Sequence, residues 1–198
     1  PNLKRFVQIS TDEVYGDMDD YRGTTHATES FSLKPSSYYS ACKASADLLV
    51  QSAARTFGLK YLITRTCNNF GPGQDPEKFL PKIAKCIGEG GNVPVYGDGE
   101  QVREWMYVDD NVEIIYGLMM TAPDNQVYNI GTGYSRTNNE VVDMISDALG
   151  ENVKYEYVED RLGHDRRYAL DCAKVDEYLL DHFIPYSLDN YIKDTFGK

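Results

Sequence analysis

Hydrophobic and polar positions alternate along the chain in a way that predicts strands and helices in turn. Short apolar runs between turn residues predict strands at Phe6–Ser10, Lys60–Thr66, Val93–Tyr96, Val127–Ile130 and Val153–Val158. Apolar residues at helical spacing predict helices at Tyr39–Thr56, Lys78–Ile87, Asp109–Met120 and Asn139–Leu149, with two short ones near Lys174–Leu180 and Leu188–Thr195. The polar segment Asp17–Ser37 predicts a surface loop. Strands that alternate with helices predict an α/β fold with a largely parallel sheet.

Composition and charge narrow the classes of function. The 198 residues are 41% hydrophobic and 26% charged, which is typical of soluble globular proteins, and no apolar run is long enough to cross a membrane. The net charge of −11 argues against a nucleic-acid partner or an anionic membrane. Nothing near the start resembles a signal peptide, so we expect a cytoplasmic protein. The four cysteines and three histidines show no metal-ligand spacing, which predicts buried or partly buried thiols and no metal site.

Two short stretches contain the residue types of an acid–base site. Tyr39 and Lys43 are four residues apart on a predicted helix and share a face, where an ammonium can lower the pKa of a phenol. The run Thr11-Asp12-Glu13 follows the first predicted strand and adds a hydroxyl and two carboxyl groups at one end of the sheet. Taken alone, these carboxylates fit a solvated turn, and the Tyr–Lys pair fits an amphipathic helix with an exposed lysine. The surrounding residues, Ser10 before the run and Val14-Tyr15-Gly16 after it, favour the catalytic interpretation.

An ordered series of motifs resembles the extended short-chain dehydrogenase/reductase family, and within it the nucleotide-sugar 4,6-dehydratases. The similar blocks are Ile9–Gly16, Tyr38–Ser45, Asn68–Pro72, Pro76–Lys78, Pro94–Gly97, Val102–Trp105, Tyr128–Gly131 and Arg161–Tyr168. The resemblance implies a partial Rossmann-like parallel sheet with helices, together with a smaller α/β substrate-binding domain. Residues 1–70 would hold the C-terminal half of the dinucleotide-binding domain. Residues 71–198 would mainly bind the nucleotide sugar, with about 105–130 returning to the main sheet.

The resemblance also implies a reaction, in which NAD transiently oxidises C4 of a nucleotide-activated glucose so that water can leave across C5 and C6. Tyr39 would take the C4 hydroxyl proton, and Lys43 would lower the pKa of that tyrosine and hold the nicotinamide ribose. Thr11 would hydrogen-bond the C4 oxygen. Glu13 would remove the C5 proton, and Asp12 would protonate the departing C6 hydroxyl. The implied substrate is dTDP-glucose, with UDP-glucose as the alternative.

Further positions match the family's ligand-binding residues. The resemblance assigns Asn69, with Tyr39 and Lys43, to the cofactor, and it assigns a larger set to the substrate: Asn68, Glu77, Lys78, Pro94, Tyr96, Arg103, Asn138, Arg161 and His164. For the asparagine pair the alternative is that both side chains only stabilise a turn. Lys78 could instead be a solvated helix residue, and Tyr96 could be an aromatic residue on the rim of the site. Leu162 stands where the family usually has proline.

One family feature is missing from the sequence. No Gly-x-x-Gly-x-x-Gly turn follows any predicted strand, although the family holds the dinucleotide pyrophosphate on such a turn. The chain therefore resembles the C-terminal portion of a dehydratase. We expect an exposed edge at Phe6–Ser10, and NAD binding that is absent or very weak unless a second polypeptide supplies the other half.

The resemblance implies a homodimer, with a partner chain that supplies the N-terminal half as the alternative. Two other functions stay open at this stage. An NAD-dependent epimerase or decarboxylase of the same family would not need the Asp12-Glu13 pair. An inactive nucleotide-sugar-binding module would need no turnover at all.

Overall fold

The computed structural model describes residues 3–19, 24–179 and 183–197 and has an α/β architecture, as the sequence predicts. Its helices are α1 (Tyr38–Phe57), α2 (Phe79–Gly88), α3 (Val108–Thr121), α4 (Asn138–Leu149), α5 (Ala173–Asp176) and α6 (Leu188–Phe196). Its strands are β1 (Phe6–Thr11), β2 (Tyr61–Thr66), β3 (Asn68–Phe70), β4 (Val93–Tyr96), β5 (Val102–Tyr107), β6 (Gln126–Ile130), β7 (Ser135–Thr137) and β8 (Tyr155–Val158). A 3₁₀ turn, Asp12–Tyr15, follows β1.

The main sheet is parallel and has the order β1-β2-β6 in the described ranges. Phe6 pairs with Tyr61 and Leu62 with Gln126, so β2 is central, and all six of its residues are buried. Within these ranges β1 pairs only with β2 and leaves Phe6 and Ile9 partly exposed, so it is the edge strand that the sequence predicts. The carboxyl ends of β1 and β2 therefore lie side by side, where α/β proteins bind ligands.

Immediately after β2 the chain enters a second sheet. Its order is β3-β5-β7, with β3 and β5 parallel and β7 antiparallel to β5. The strands β4 and β8 form a separate parallel pair. This part has its own core, which packs α2, α4 and α6 around Phe70, Val95 and Trp105.

Helix α1 is well defined at both ends, which fixes the position of Tyr39 and Lys43. Ser37 and Ser40 form a capping box at its start, and Gly58 closes it in the left-handed conformation. Val50 packs with Tyr61 and Ile63 on one face of the main sheet. Leu62, which points to the other face of the sheet, belongs to a cluster that includes Ile114 and Leu118 of α3.

Some predictions are wrong or incomplete. The strands β3, β5 and β7 were not predicted, and the helix expected at Lys174–Leu180 is shorter in the structure, with Leu180 outside the described residues. The described residues of the segment Asp17–Ser37, 17–19 and 24–37, do not form simply a surface loop, because Met18 and Ala27 are buried. Of the four thiols, that of Cys42 is exposed. In the described part of the chain no helix is both long and apolar enough to cross a bilayer.

Candidate active site

A cleft of about 440 Å³ lies where the end of β1, the start of α1, the start of α2 and the loop after β8 meet. Eleven of the predicted site residues line it: Glu13, Tyr39, Asn68, Glu77, Lys78, Pro94, Tyr96, Arg103, Asn138, Arg161 and His164. Four others, Thr11, Asp12, Lys43 and Asn69, are not among its lining residues. The structure thus brings together all nine residues predicted to contact the substrate.

The 3₁₀ turn after β1 holds the predicted carboxylates. Thr11 caps this turn, because its Oγ1 accepts a hydrogen bond from the Glu13 backbone N–H over 3.3 Å. The same hydroxyl donates to Asp12 Oδ1 over 3.1 Å. Thr11 is 8% exposed and Asp12 3% exposed, so both side chains lie beneath the cleft surface, whereas Glu13 reaches it.

Burial raises the pKa of the Asp12 carboxyl into the neutral range. Desolvation, followed by the neighbouring charge of Glu13, raises the pKa of Asp12 to about 7. Asp12 Oδ2 is buried and has no hydrogen-bond partner in the described structure, which also disfavours the charged form. Burial raises the pKa of Glu13 as well, while Arg103 opposes the effect. The turn therefore offers one carboxyl that can give a proton and one that can accept a proton.

Tyr39 and Lys43 share a face of α1, but their electrostatic relationship differs from the prediction. Tyr39 is half exposed, and Lys43 Nζ lies 5.9 Å from its ring centroid. The ammonium donates to the Ile9 carbonyl over 2.8 Å. Burial, then the charges of Glu13 and Asp12, raise the pKa of the Tyr39 phenol. The expected lowering by Lys43 is therefore wrong for this arrangement, because burial, and after it the charges of the turn, raise the pKa of Tyr39, while Lys43 is bonded to backbone.

The asparagine pair after β2 is divided between two environments. Asn68 lines the cleft. Asn69 donates from Nδ2 to the Cys67 carbonyl over 3.3 Å, and its Oδ1 is buried without a hydrogen-bond partner in the described residues. An orphaned acceptor of this kind fits an amide N–H donor from a ligand.

Cations surround Tyr96 on the other side of the cleft. The Arg161 guanidinium carbon lies 4.1 Å from the Tyr96 ring centroid, and Lys82 Nζ lies 5.7 Å from it. Arg161, and after it Lys82, lower the pKa of the Tyr96 phenol by favouring its charged form. This corner of an acidic protein is therefore locally positive.

Arg103 is fixed by backbone groups. Its guanidinium donates to the carbonyls of Val102 and Asp165, both over 2.8 Å, and stacks 4.3 Å from the Tyr168 ring centroid. Tyr168 in turn donates to Asp165 Oδ2 over 2.8 Å. Arg103 is 8% exposed and has no carboxylate partner among the described residues, so its charge is available to an anion.

The remaining predicted residues lie on the rim of the cleft. Asn138 Nδ2 donates to Gln101 Oε1 over 3.2 Å. His164 Nδ1 lies 2.6 Å from Asp160 Oδ1, which holds the loop after β8 in place. Gly163 of this loop has a φ of +71°, and a Cβ there would lie 2.7 Å from the Ser36 carbonyl oxygen, so this approach favours glycine.

Seven lining residues were not predicted: Ser37, Phe79, Lys82, Trp105, Leu162, Gly163 and Tyr168. Helical spacing could have found one of them, because Lys82 follows Lys78 by four residues and shares its face. In the part of the chain that the structure describes, no group of three or more His, Cys, Asp or Glu residues is placed to hold a metal ion.

Comparison with known proteins assigns a family to this arrangement. The model of the NAD dependent epimerase/dehydratase family matches residues 1–131. The low-salt glycan biosynthesis protein Agl12 of Haloferax volcanii is 49% identical over 174 residues, which cover 87% of this chain and 55% of that protein. The dTDP-glucose 4,6-dehydratase 1 of Escherichia coli K12 is 43% identical over 188 residues, which cover 88% of this chain and 52% of that protein.

Solved structures agree with this similarity. The crystal structure of DesIV, a dTDP-glucose 4,6-dehydratase from Streptomyces venezuelae with NAD and TYD bound, superimposes with a TM-score of 0.90 at 40% identity. The superposition covers 98% of this chain and 59% of the DesIV chain. The chain spans about half the length of the curated relatives that it matches.

Proposed function

The chain belongs to the NAD-dependent epimerase/dehydratase family, and we propose that its cleft binds dTDP-glucose and supplies the acid–base groups that convert it to dTDP-4-keto-6-deoxyglucose. The observation that carries this proposal is the shared cleft. Glu13 and Tyr39 line it together with Lys78, Arg103 and Arg161, so proton-transfer groups and cations face one space. A sugar joined to a diphosphate needs both kinds of group at the two ends of one molecule.

The cofactor of this proposal is NAD, and residues of this chain fit its nicotinamide end. Tyr39 and Lys43 present a phenol and an ammonium beside β1, and the orphaned Asn69 Oδ1 suits a carboxamide donor. When bound, NAD supplies a hydride acceptor for C4 and later a hydride donor for C6. Lys43 would hold the ribose, and its charge would then oppose the effect of the two carboxylates on Tyr39.

Tyr39 and the carboxyl pair divide the proton transfers between them. Tyr39 takes the proton of the C4 hydroxyl as that carbon becomes a carbonyl. The carbonyl acidifies the neighbouring C5–H, whose proton Glu13 removes, and a proton returns to C5 when the hydride is delivered to C6. Asp12, whose pKa burial raises to about 7, gives its proton to the C6 hydroxyl, which leaves as water. Thr11 keeps the Asp12 carboxyl in position through the 3.1 Å hydrogen bond, so we propose a positioning role for it. Donation to the C4 oxygen would need its single hydroxyl hydrogen to leave Asp12.

The nucleotide end is assigned to the opposite side of the cleft. Arg103 and Lys78 face the diphosphate, while Pro94 and Tyr96 lie at the nucleoside. Asn68, Glu77, Asn138, Arg161 and His164 complete the enclosure. We also propose a homodimer through the exposed apolar positions of α1, which include Leu48 and Leu49.

Isotope transfer tests the proposed reaction. The chain is incubated with a polypeptide that supplies the N-terminal half of the dinucleotide-binding domain, with NAD and with dTDP-glucose that carries deuterium at C4. The product is analysed by NMR and mass spectrometry. Dehydration predicts loss of one water, a carbonyl at C4 and deuterium at C6. Inversion at C4 without loss of water would replace the proposal with epimerase activity. Binding of dTDP without any turnover would replace it with a nucleotide-sugar-binding module, and tighter binding of UDP than dTDP would reassign the substrate.

A further inference from the structure

Lys82 is a cation of the cleft to which the proposed reaction gives no role. It lies on α2 one turn after Lys78, is half-buried, and lines the same cleft. Its ammonium lies 5.7 Å from the Tyr96 ring centroid, on a ring that also carries the Arg161 guanidinium at 4.1 Å. Two cations therefore share one aromatic side chain.

Neither of these cations has an ion-pair partner among the described residues. Ion pairs in the described structure occupy Arg5, Lys60, Arg65, His164 and Arg166, but neither Lys82 nor Arg161. The chain has 31 acidic and 20 basic residues, so carboxylates are in excess. Unpaired cations that gather in a cleft of such a protein indicate an anionic ligand, because like charges repel unless a counter-charge joins them.

We infer that Lys82 is a further phosphate-binding residue, whose ammonium pairs with the diphosphate of the nucleotide from the Tyr96 side of the cleft, together with Arg161. This inference rests on the proposed function, since the proposed ligand is a nucleoside diphosphate sugar. An ammonium is a compact charge with three donors and no acceptor, which suits phosphate oxygens better than the mixed donors and acceptors of a base. The start of α2 adds to the attraction, because Lys78 caps it without a side-chain hydrogen bond and its first N–H groups are free of a side-chain cap.

Binding of a nucleotide series separates phosphate contact from base contact. Calorimetry is performed with thymidine, dTMP and dTDP on the unchanged chain, on Lys82→Met and on Lys82→Arg. We expect Lys82→Met to weaken dTDP binding about tenfold, as loss of a charge-assisted hydrogen bond would, and to leave thymidine binding unchanged. Its affinity for dTDP should also fall less steeply with salt, because one fewer charge is screened. Lys82→Arg keeps the charge and should retain most of the affinity.

The matched control is Lys85→Met, which removes an exposed lysine of the same helix that does not line the cleft. It should leave all three affinities unchanged. Equal affinity of Lys82→Met and the unchanged chain for dTDP would overturn the inference while leaving the proposed function intact. An equal loss for thymidine and dTDP would also overturn it, since it would place Lys82 at the base. If the unchanged chain bound no dTDP, the proposed function would fail, and this inference with it.

Discussion

Arg65 Nε donates to Asp47 Oδ2 over 2.9 Å, and both side chains are almost fully buried. The pair joins the middle of the main sheet to α1, the helix that carries Tyr39. Arg65 also donates to the Tyr15 hydroxyl over 2.9 Å, at the end of the turn that holds Asp12 and Glu13. One guanidinium thus connects the two elements that supply the proposed acid–base groups.

Removing this guanidinium should destabilise the fold strongly. Arg65→Met leaves the Asp47 carboxylate buried without its partner, which typically costs about 3–5 kcal/mol in the free energy of unfolding. The measurement is urea unfolding followed by circular dichroism. Lys60→Met is the control, because it removes an exposed partner of Asp124 at 2.9 Å and should cost about 0–1 kcal/mol. Equal losses in the two variants would show that burial of the Arg65–Asp47 pair does not matter.

Gly16 closes the turn after Asp12 and Glu13 and has no room for a side chain. Its φ is +75°, and a Cβ would lie 2.0 Å from the Lys34 carbonyl oxygen, a backbone atom that cannot rotate away. Gly58 has a similar φ of +69° with nothing within 4 Å of a Cβ. Gly58→Ala should therefore cost only the conformational strain, about 1–2 kcal/mol, whereas Gly16→Ala should cost at least about 2 kcal/mol more. Similar unfolding midpoints for the two variants would contradict this steric explanation.

The parts of the fold that were predictable are those in which apolar pattern and structure agree. Strand β2 and helices α1, α3 and α4 have continuous or periodic apolar positions, and their predicted bounds agree with the structure to within about one residue. Strand β5 was missed because it contains Arg103 and Glu104, charges that usually indicate exposure. In the structure both are buried and bonded to backbone groups, Arg103 to carbonyls and Glu104 to the Gly133 N–H. Partners that are distant in sequence decide such cases, so local pattern could not reveal them.

The candidate site was likewise predictable only in part. Motif resemblance placed eleven residues that line one cleft, although they come from positions between Glu13 and His164. It did not predict that Thr11 and Asp12 lie beneath the surface, or that Lys43 bonds to the Ile9 carbonyl. These details depend on how the turn and α1 pack against each other, which a spacing of four residues does not determine.

The buried Asp12 carboxyl should make stability depend on pH. Its pKa is 3.8 for an unperturbed group and about 7 in the fold, so between these values the folded chain binds one more proton than the unfolded chain. The contribution of Asp12 to stability therefore falls as pH rises from about 4 to about 7, and it is constant above that. Asp12→Asn keeps the oxygen that accepts from Thr11 and cannot ionise. Between pH 4 and pH 8, the free energy of unfolding of Asp12→Asn should therefore rise by on the order of 2–4 kcal/mol relative to that of the unchanged chain.

Urea unfolding at pH 4.5, 6 and 8 measures this difference. Asp143→Asn, which neutralises an exposed carboxylate of α4, is the control and should show no comparable trend. If the difference in stability between Asp12→Asn and the unchanged chain were the same at all three pH values, Asp12 would be ionised throughout. It could not then act as the proposed general acid.

Substitution of Glu13 or Tyr39 should impair catalysis without weakening nucleotide binding. Neither Glu13→Gln nor Tyr39→Phe removes a cation of the cleft, so we expect dTDP affinity to be retained in both. Each variant loses one proton-transfer group, which should lower the rate of dTDP-glucose dehydration by about 10²–10⁴-fold. Tyr38→Phe is the control, because Tyr38 precedes Tyr39 on α1 and is 96% exposed. Product formation is followed by NMR with NAD and the polypeptide that supplies the N-terminal half present, and in deuterated water the Glu13→Gln variant should also lose exchange of the C5 proton. Retained exchange at C5 in that variant would assign the proton abstraction to another group and remove Glu13 from the mechanism.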